Sequence, residues 1–221
     1  MQYRQCGDSD LEVSVLGAGC WAFGGGEYWG DRNQQDVTEA VHRLVDLGVT
    51  YFDTAEAYND GRSEASLGDA LVGIPRDQVI IGTKISPSNV ESKTMVAHCE
   101  ASLKRLKTDY VDLYMIHWPI HPHSLRHFTN DEALIQDPPS EQQALETLGD
   151  LQQQGKIRFG GVSNYGITRL ACALAHGQTL VVDQLPYSLL TRAVEFETLP
   201  FCQEAGMGVI SYMTLLQGVL T

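Results

Sequence analysis

Short runs of apolar, β-branched residues alternate with amphipathic segments along most of the chain. The clearest helical pattern follows Asn33, a candidate N-cap, because apolar residues recur there at the i, i+3, i+4 spacing until Gly48. The same spacing predicts helices over about 93–106 and from the candidate cap Ser140 to Gly155. This alternation predicts repeated βα units and a parallel sheet.

Seven of the apolar runs have the length of buried strands. They cover Val13–Ala18, Val49–Asp53, Val79–Thr83, Val111–Ile116, Phe159–Val162, Val181–Gln184 and Gly208–Tyr212. A (β/α)8 TIM barrel has eight βα units in roughly 250 residues. We therefore predict an α/β fold of this kind over residues 1–221, as one domain that is C-terminally incomplete, with the eighth βα unit absent. The open strand edges of such a sheet are expected to permit self-association.

The segment from Trp118 to Ser140 interrupts the repeat and contains four prolines. Prolines at this density exclude a regular helix, so we predict a loop at the C-terminal face of the sheet, where barrel enzymes keep their substrate loops. The segment also completes a group of four imidazoles, His117, His121, His123 and His127. Because the prolines break any helical face that would align them, we predict no metal site.

Composition narrows the classes of partner. The chain has 28 acidic and 15 basic side chains and a formal charge of −13, which disfavours nucleic acid and anionic membranes as partners. No apolar run approaches the roughly 20 residues that cross a bilayer, and the N-terminus has no apolar leader, so a cytoplasmic location is expected. The five cysteines are odd in number and widely spaced, which indicates reduced thiols that mostly fill the core.

Polar residues stand at the ends of the predicted strands, where closure of a barrel would bring them to one rim. They are Asp53, Lys84, His117, Ser163, Asn164 and Gln184. Taken singly, each is more simply interpreted as a solvated or structural residue. Their joint position at strand ends favours a catalytic rim.

Four residues form a chemically coherent set. Tyr58 has a phenol whose ordinary pKa lies near 10, so it needs a neighbouring cation to take part in proton transfer near neutral pH. Lys84 is a candidate for that cation, and Asp53 would keep the lysine charged and in place. His117 would hydrogen-bond a carbonyl oxygen. Together, these residues could donate a proton to a carbonyl oxygen while the carbonyl carbon receives a hydride.

The motifs around these residues resemble, in order and over essentially the whole chain, the signatures of the aldo-keto reductases. They are Asp53-Thr54-Ala55-Glu56-Ala57-Tyr58, Gly82-Thr83-Lys84, Asp112-Leu113-Tyr114-Met115-Ile116-His117-Trp118-Pro119 and Gly161-Val162-Ser163-Asn164. The resemblance implies that Asp53, Tyr58, Lys84 and His117 are the catalytic tetrad, with Tyr58 as the general acid in reduction.

The same resemblance implies a nicotinamide cofactor, NADP or alternatively NAD, bound in an extended form across the rim. The predicted cofactor-binding residues then include Asp53 and the three residues that match the contacts to the carboxamide, Ser163, Asn164 and Gln184. Tyr212 matches the aromatic residue that stacks on the nicotinamide. Leu215 begins the segment that matches the pyrophosphate-holding loop. Trp21 and Trp118 match the walls of the substrate pocket, although both also fit simple packing at a barrel mouth.

Two functions of different class follow. The first is an NAD(P)H-dependent oxidoreductase that reduces an aldehyde or ketone to an alcohol, and the polar long loop would accept a sugar-derived carbonyl. The alternative is a non-enzymatic, cofactor-sensing regulatory subunit that binds a partner, since the resemblance extends to the potassium-channel β subunits.

Overall fold

The structure is a computed structural model that describes residues 1–177 and 179–221. It opens with an antiparallel hairpin, β1 (Tyr3–Gln5) and β2 (Glu12–Ser14). Seven parallel strands follow and lie side by side in chain order: β3 (Ala18–Gly19), β4 (Tyr51–Asp53), β5 (Ile80–Ile85), β6 (Val111–Ile116), β7 (Ile157–Ser163), β8 (Val182–Pro186) and β9 (Gly208–Tyr212). This arrangement confirms the predicted barrel-type sheet. Among the described residues no eighth strand joins β3 to β9.

Helices connect the strands. They are α1 (Gln34–Asp46), α2 (Arg62–Ala70), α3 (Ser92–Leu106), α4 (Pro122–Leu125), α5 (Glu132–Gln136), α6 (Glu141–Gln153), α7 (Ile167–Ala175) and α8 (Thr198–Glu204). The two predicted N-caps are confirmed. The side chain of Asn33 accepts from the Gln35 amide at 2.9 Å, and Ser140 Oγ accepts from the Gln143 amide at 3.3 Å.

The predicted first strand, Val13–Ala18, is wrong in its extent. Its beginning belongs to the hairpin, and only Ala18–Gly19 pairs with β4 in the parallel sheet. The reason is tertiary, because Ser14 Oγ accepts the Thr50 amide at 3.0 Å, and Leu11 and Val13 are buried against the floor of the barrel. An apolar run by itself does not say which of two sheets it will join.

The expectation that Trp118–Ser140 holds no regular helix also needs correction, since α4 and α5 each form about one turn there. Pro122 is the first residue of α4, a position at which a proline loses no hydrogen bond. The side chain of Asp131 caps α5 by accepting from two backbone amides at 3.0 and 3.3 Å. The segment remains an excursion between β6 and α6.

The core has two parts. One lies between the strands and the helices, and the other lies inside the barrel, where buried Tyr51, Leu113 and Met115 meet the hairpin. Of the five free thiols, four are buried and Cys172 is exposed, in agreement with the prediction of reduced, mostly core-filling cysteines. None of the described helices is long and apolar enough to cross a bilayer.

Candidate active site

Lys84 lies at the centre of the site. It projects from β5 and is fully buried, and its Nζ donates to Asp53 Oδ2 at 2.8 Å, to the Thr54 carbonyl at 2.8 Å and to Tyr58 Oη at 3.2 Å. An ammonium group has three hydrogens, so these three acceptors satisfy it fully. The amine therefore links a carboxylate at the end of β4 to a phenol in the turn that follows it.

The electrostatics of this group follow from burial and from the ion pair. Burial alone would lower the pKa of Lys84, but Asp53 and Tyr58 outweigh it and hold that pKa above its ordinary value, so the lysine is charged. Burial raises the pKa of Tyr58, and Lys84 opposes that rise. The tyrosine is therefore a protonated phenol near neutral pH, able to donate its proton.

Asp53 accepts two more hydrogen bonds on its other oxygen, Oδ1. Gln184 Nε2 donates at 2.9 Å from β8, and Tyr51 Oη donates at 3.0 Å from β4 itself. Tyr51 was not predicted as a site residue from the sequence. The signal was the spacing, because residues two apart on a strand point to the same face.

His117 directly follows β6 and lies beside Tyr58, with the two ring centroids 5.4 Å apart and the planes at 75°. Its pKa lies well below the ordinary value because burial, and secondarily the charge of Lys84, disfavour the imidazolium. A neutral imidazole carries one N–H donor and one acceptor nitrogen. Its Nδ1 is buried and has no hydrogen-bond partner among the described residues.

The strand ends of β7, β8 and β9 carry a second hydrogen-bonded group. Asn164 Nδ2 donates to Ser163 Oγ at 3.0 Å and to the His117 carbonyl at 3.1 Å, while its Oδ1 accepts from Tyr212 Oη at 2.6 Å. Ser163 Oγ donates to the Gln184 carbonyl at 2.9 Å. The structure thus brings Ser163, Asn164, Gln184 and Tyr212 together next to Asp53.

The remaining predicted site residues lie at different distances from this centre. The ring of Trp21 is 6.0 Å from that of Tyr58, whereas Trp118 pairs with His127 at 6.5 Å. Both tryptophans are partly exposed. Leu215 is exposed after β9 and, within the described chain, shares no hydrogen bond with the other site residues.

Residues 21–30, here called the aromatic loop, cover one side of Tyr58. Trp21 stacks on Tyr28 with centroids 5.4 Å apart and meets Trp29 edge-on at 5.2 Å. Asn59 Nδ2 anchors the loop by donating to the Trp21 carbonyl at 2.7 Å and the Phe23 carbonyl at 2.9 Å. Tyr28 was not singled out from the sequence, because only the fold shows that its ring stacks on Trp21 beside the site.

A cleft of about 690 Å³ runs along the open side of the sheet between β3 and β9. Gly19, Asp53, Gln184 and Tyr212 line it together with the hairpin. Within residues 1–177 and 179–221, no group of three or more His, Cys, Asp or Glu side chains is arranged to hold a metal ion.

The fold and site define an α/β protein of the TIM-barrel class with a polar site at the carboxyl rim of its sheet. A comparison with known protein families identifies the family within this class. The model of the "Aldo/keto reductase family" matches residues 15–221. The chain belongs to the aldo/keto reductase family.

Individual relatives support the assignment. The chain is 34% identical to the aldo-keto reductase YhdN of Bacillus subtilis over 230 residues, which cover all of this chain and 64% of that protein. It is 35% identical to the NADH-specific methylglyoxal reductase of Escherichia coli, covering 97% of this chain and 68% of the relative. An aldo-keto reductase from Klebsiella pneumoniae in complex with NADPH superposes with a TM-score of 0.81 at 29% identity, covering 99% of this chain and 70% of that structure. The chain spans about two thirds of the length of the curated relatives it matches.

Proposed function

We propose that the protein is an NAD(P)H-dependent oxidoreductase that reduces an aldehyde or ketone to an alcohol, with Tyr58 as the proton donor. The observation that carries this proposal is the buried Lys84 amine, which bridges Asp53 and the Tyr58 phenol. Family membership and the reductase names of the relatives support the same reaction class.

The residues present fit a nicotinamide cofactor. The hydroxyl of Ser163 and the amides of Asn164 and Gln184 offer both donors and acceptors, which a carboxamide requires. Tyr212, next to Asn164, supplies an aromatic face, and Leu215 begins the segment proposed to meet the pyrophosphate. When bound, the nicotinamide supplies a hydride. Relatives include both an NADPH complex and an NADH-specific enzyme, so we propose NADP with NAD as the alternative.

The roles of the protein side chains follow from their contacts. Tyr58 passes its proton to the substrate oxygen as negative charge develops there, and the charged Lys84 stabilises the phenolate that results. Asp53 keeps Lys84 charged and fixed. Neutral His117 donates an N–H to the same oxygen and orients the carbonyl. In oxidation the Tyr58 phenolate takes the proton back.

Substrate choice depends on the walls of the pocket. We place Trp21 beside the reacting group, in keeping with its distance from the Tyr58 ring, and Trp118 at the wall next to His127. A small carbonyl fits this arrangement, and a relative is named for reduction of methylglyoxal. The histidines of the 118–140 segment make a sugar-derived carbonyl a second candidate.

Within the described residues β3 and β9 pair with no further strand on the side that faces the cleft, and we propose that these edges pair with a second copy of the chain. Light scattering on the purified protein over a range of concentrations tests this self-association. A monomer at all concentrations would contradict it.

The proposed activity is tested by titrating the protein with NADPH and NADH while following tryptophan fluorescence, and then by assaying methylglyoxal, glyceraldehyde and benzaldehyde. The expected results are saturable binding with turnover in the unaltered protein, and binding with turnover lowered about 10²–10⁴-fold in Tyr58→Phe. Binding without turnover in the unaltered protein would favour the regulatory function instead. No binding of either nucleotide would contradict both functions.

A further inference from the structure

Tyr51 is a buried phenol directly beneath the proposed active site. It lies on β4, it is 3% exposed, and its hydroxyl donates to Asp53 Oδ1 at 3.0 Å. Of the three residues of β4, Tyr51 is the one that donates a hydrogen bond to Asp53 Oδ1. The hydroxyl is therefore positioned to act on the carboxylate that holds Lys84.

Two glycines make room for this ring. A Cβ at Gly82, which pairs with Asp53 across β4 and β5, would lie 2.6 Å from Tyr51 Oη, and a Cβ at Gly17 would lie 2.7 Å from the ring. Contacts below 3.0 Å force something to move. A larger residue at Gly82, on β5, or at Gly17, directly before β3, would therefore crowd the Tyr51 ring, and glycine at both positions leaves room for it.

We propose that Tyr51 is a positioning residue, which fixes the Asp53 carboxylate and limits how much of its negative charge acts on Lys84 and Tyr58. The inference rests on the proposed function for the role of Tyr58. The geometry of the three donors on Asp53 supports it, because Lys84 binds Oδ2 while Tyr51 and Gln184 share Oδ1.

The direction in which the pKa of Tyr58 changes follows from how the three donors are divided between the two oxygens of Asp53. Without the Tyr51 hydroxyl, Oδ1 keeps a single donor, so more of the carboxylate charge is felt by its neighbours. The charge of Asp53 raises the pKa of Tyr58, and therefore Tyr51→Phe should raise it further. The ionisable groups that face Tyr58 from the surrounding elements are Lys84, Asp53, Cys20, His117 and Tyr212.

The test follows the titration of Tyr58 itself, by ¹³C NMR of protein labelled at the tyrosine Cζ. The Tyr58 resonance is assigned by its loss in Tyr58→Phe, and titrations are confined to pH values at which circular dichroism shows a native fold. In Tyr51→Phe we expect an upward shift on the order of half a pH unit, because the hydroxyl is hydrogen-bonded to Asp53 and not to Tyr58 itself. The pH profile of alcohol oxidation should move in the same direction, with the KM for the cofactor unchanged.

Tyr114→Phe is the matched control, because Tyr114 is a fully buried tyrosine on β6 whose hydroxyl has no hydrogen-bond partner among the described residues. It should leave the Tyr58 titration unchanged. Gly82→Ala is the second variant, since it displaces the Tyr51 hydroxyl without removing it and should give the same upward shift.

An unshifted titration in both Tyr51→Phe and Gly82→Ala would overturn the proposal, and so would an equal shift in Tyr114→Phe. If the unaltered protein shows no turnover while the NMR shift is present, the proposed function fails and the action of Tyr51 on the cluster stands.

Discussion

Two regions that meet at the Tyr58 ring are held in different ways. The strand-end cluster, Tyr51, Asp53, Tyr58, Lys84 and Gln184, is fixed by hydrogen bonds that cross β4, β5 and β8. The aromatic loop, residues 21–30, is anchored by the Asn59 side chain and by ring stacking, and Tyr28 at its surface is 70% exposed. The proposed proton transfer therefore rests on side chains joined across the strands of the sheet, whereas the proposed substrate selection rests on a surface loop that is held by ring stacking, by Asn59 and by its own backbone hydrogen bonds.

The same difference determines which substitutions each of the two regions tolerates. Lys84 and Asp53 form a largely buried ion pair, with side chains 0% and 15% exposed, so the loss of either partner leaves an uncompensated charge. The side chains of the aromatic loop are uncharged at Trp21, Tyr28 and Trp29, and they lose mainly packing when truncated. Substitutions should therefore separate chemistry and stability from substrate affinity.

The largest expected effect is on the cluster. Tyr58→Phe removes the proton donor and keeps the ring, so turnover in reduction should fall about 10²–10⁴-fold. Cofactor affinity and thermal stability should change little, because the hydroxyl is bonded only to Lys84 among the described side chains. Steady-state assays beside fluorescence titration measure both quantities. Turnover within tenfold of the unaltered protein would remove Tyr58 from the role of donor.

Lys84→Met should break the cluster in a second way. Loss of the buried cation leaves Asp53 unpaired and should lower the free energy of unfolding by about 3 kcal/mol at pH 7. Lys84 also lowers the pKa of Tyr58, so in the variant the pH profile of alcohol oxidation should shift upward. Urea denaturation and initial rates against pH provide the two measurements. An unchanged profile would exclude Lys84 as the group that tunes Tyr58.

The stability effect of Lys84 has a defined pH window. Its pKa in the folded protein is raised, so the stabilisation is fully present below the ordinary lysine pKa of about 10.4 and is lost as the pH rises through the folded value. The difference in unfolding free energy between the unaltered protein and Lys84→Met should thus be constant from pH 7 to 9 and should shrink above pH ~10.4. A difference that fell away below pH 9 would contradict this assignment.

A smaller effect is expected in the aromatic loop. Trp21→Ala should raise the KM for a carbonyl substrate about tenfold, or ~1.4 kcal/mol, with little change in the turnover number. Trp118→Ala is the matched comparison and should have less effect, because the ring of Trp118 pairs with His127, whereas that of Trp21 pairs with Tyr58. Equal effects of the two substitutions would show that distance from Tyr58 does not rank the pocket walls.

The smallest effect concerns His117. Because burial holds the pKa of His117 well below the ordinary value, the imidazole should stay neutral between pH 6 and 8. The rate of reduction, plotted against pH, should therefore show no change in this range that is due to titration of this histidine. A depressed pKa in the folded state means that the stabilisation is present above the ordinary pKa of about 6.5 and is lost as the pH falls below it. The C2 proton resonance, assigned with His117→Ala, reports this directly. Titration of that resonance near pH 6.5 would contradict the assignment.

How much could be predicted from sequence differs between elements. The helix α1 and its cap Asn33 were predictable, since spacing and capping are local properties. The end of β4 was predictable as well, and with it the position of Asp53. By contrast, the split of residues 13–18 between the hairpin and the barrel depends on contacts with Thr50 and the barrel floor, which lie far along the chain.

For the site, the sequence by itself determined which side chains stand at the strand ends, because parallel strands place their carboxyl ends at one rim and the motifs mark those ends. Only the tertiary structure decided how they are connected. It placed all three Lys84 hydrogens on acceptors, set the Tyr51 ring against Gly17 and Gly82 with its hydroxyl on Asp53, and laid the aromatic loop over Tyr58. The physical reason is that residue type and period act along the chain, whereas burial, charge pairing and the space left by neighbouring strands exist only once the strands have come together.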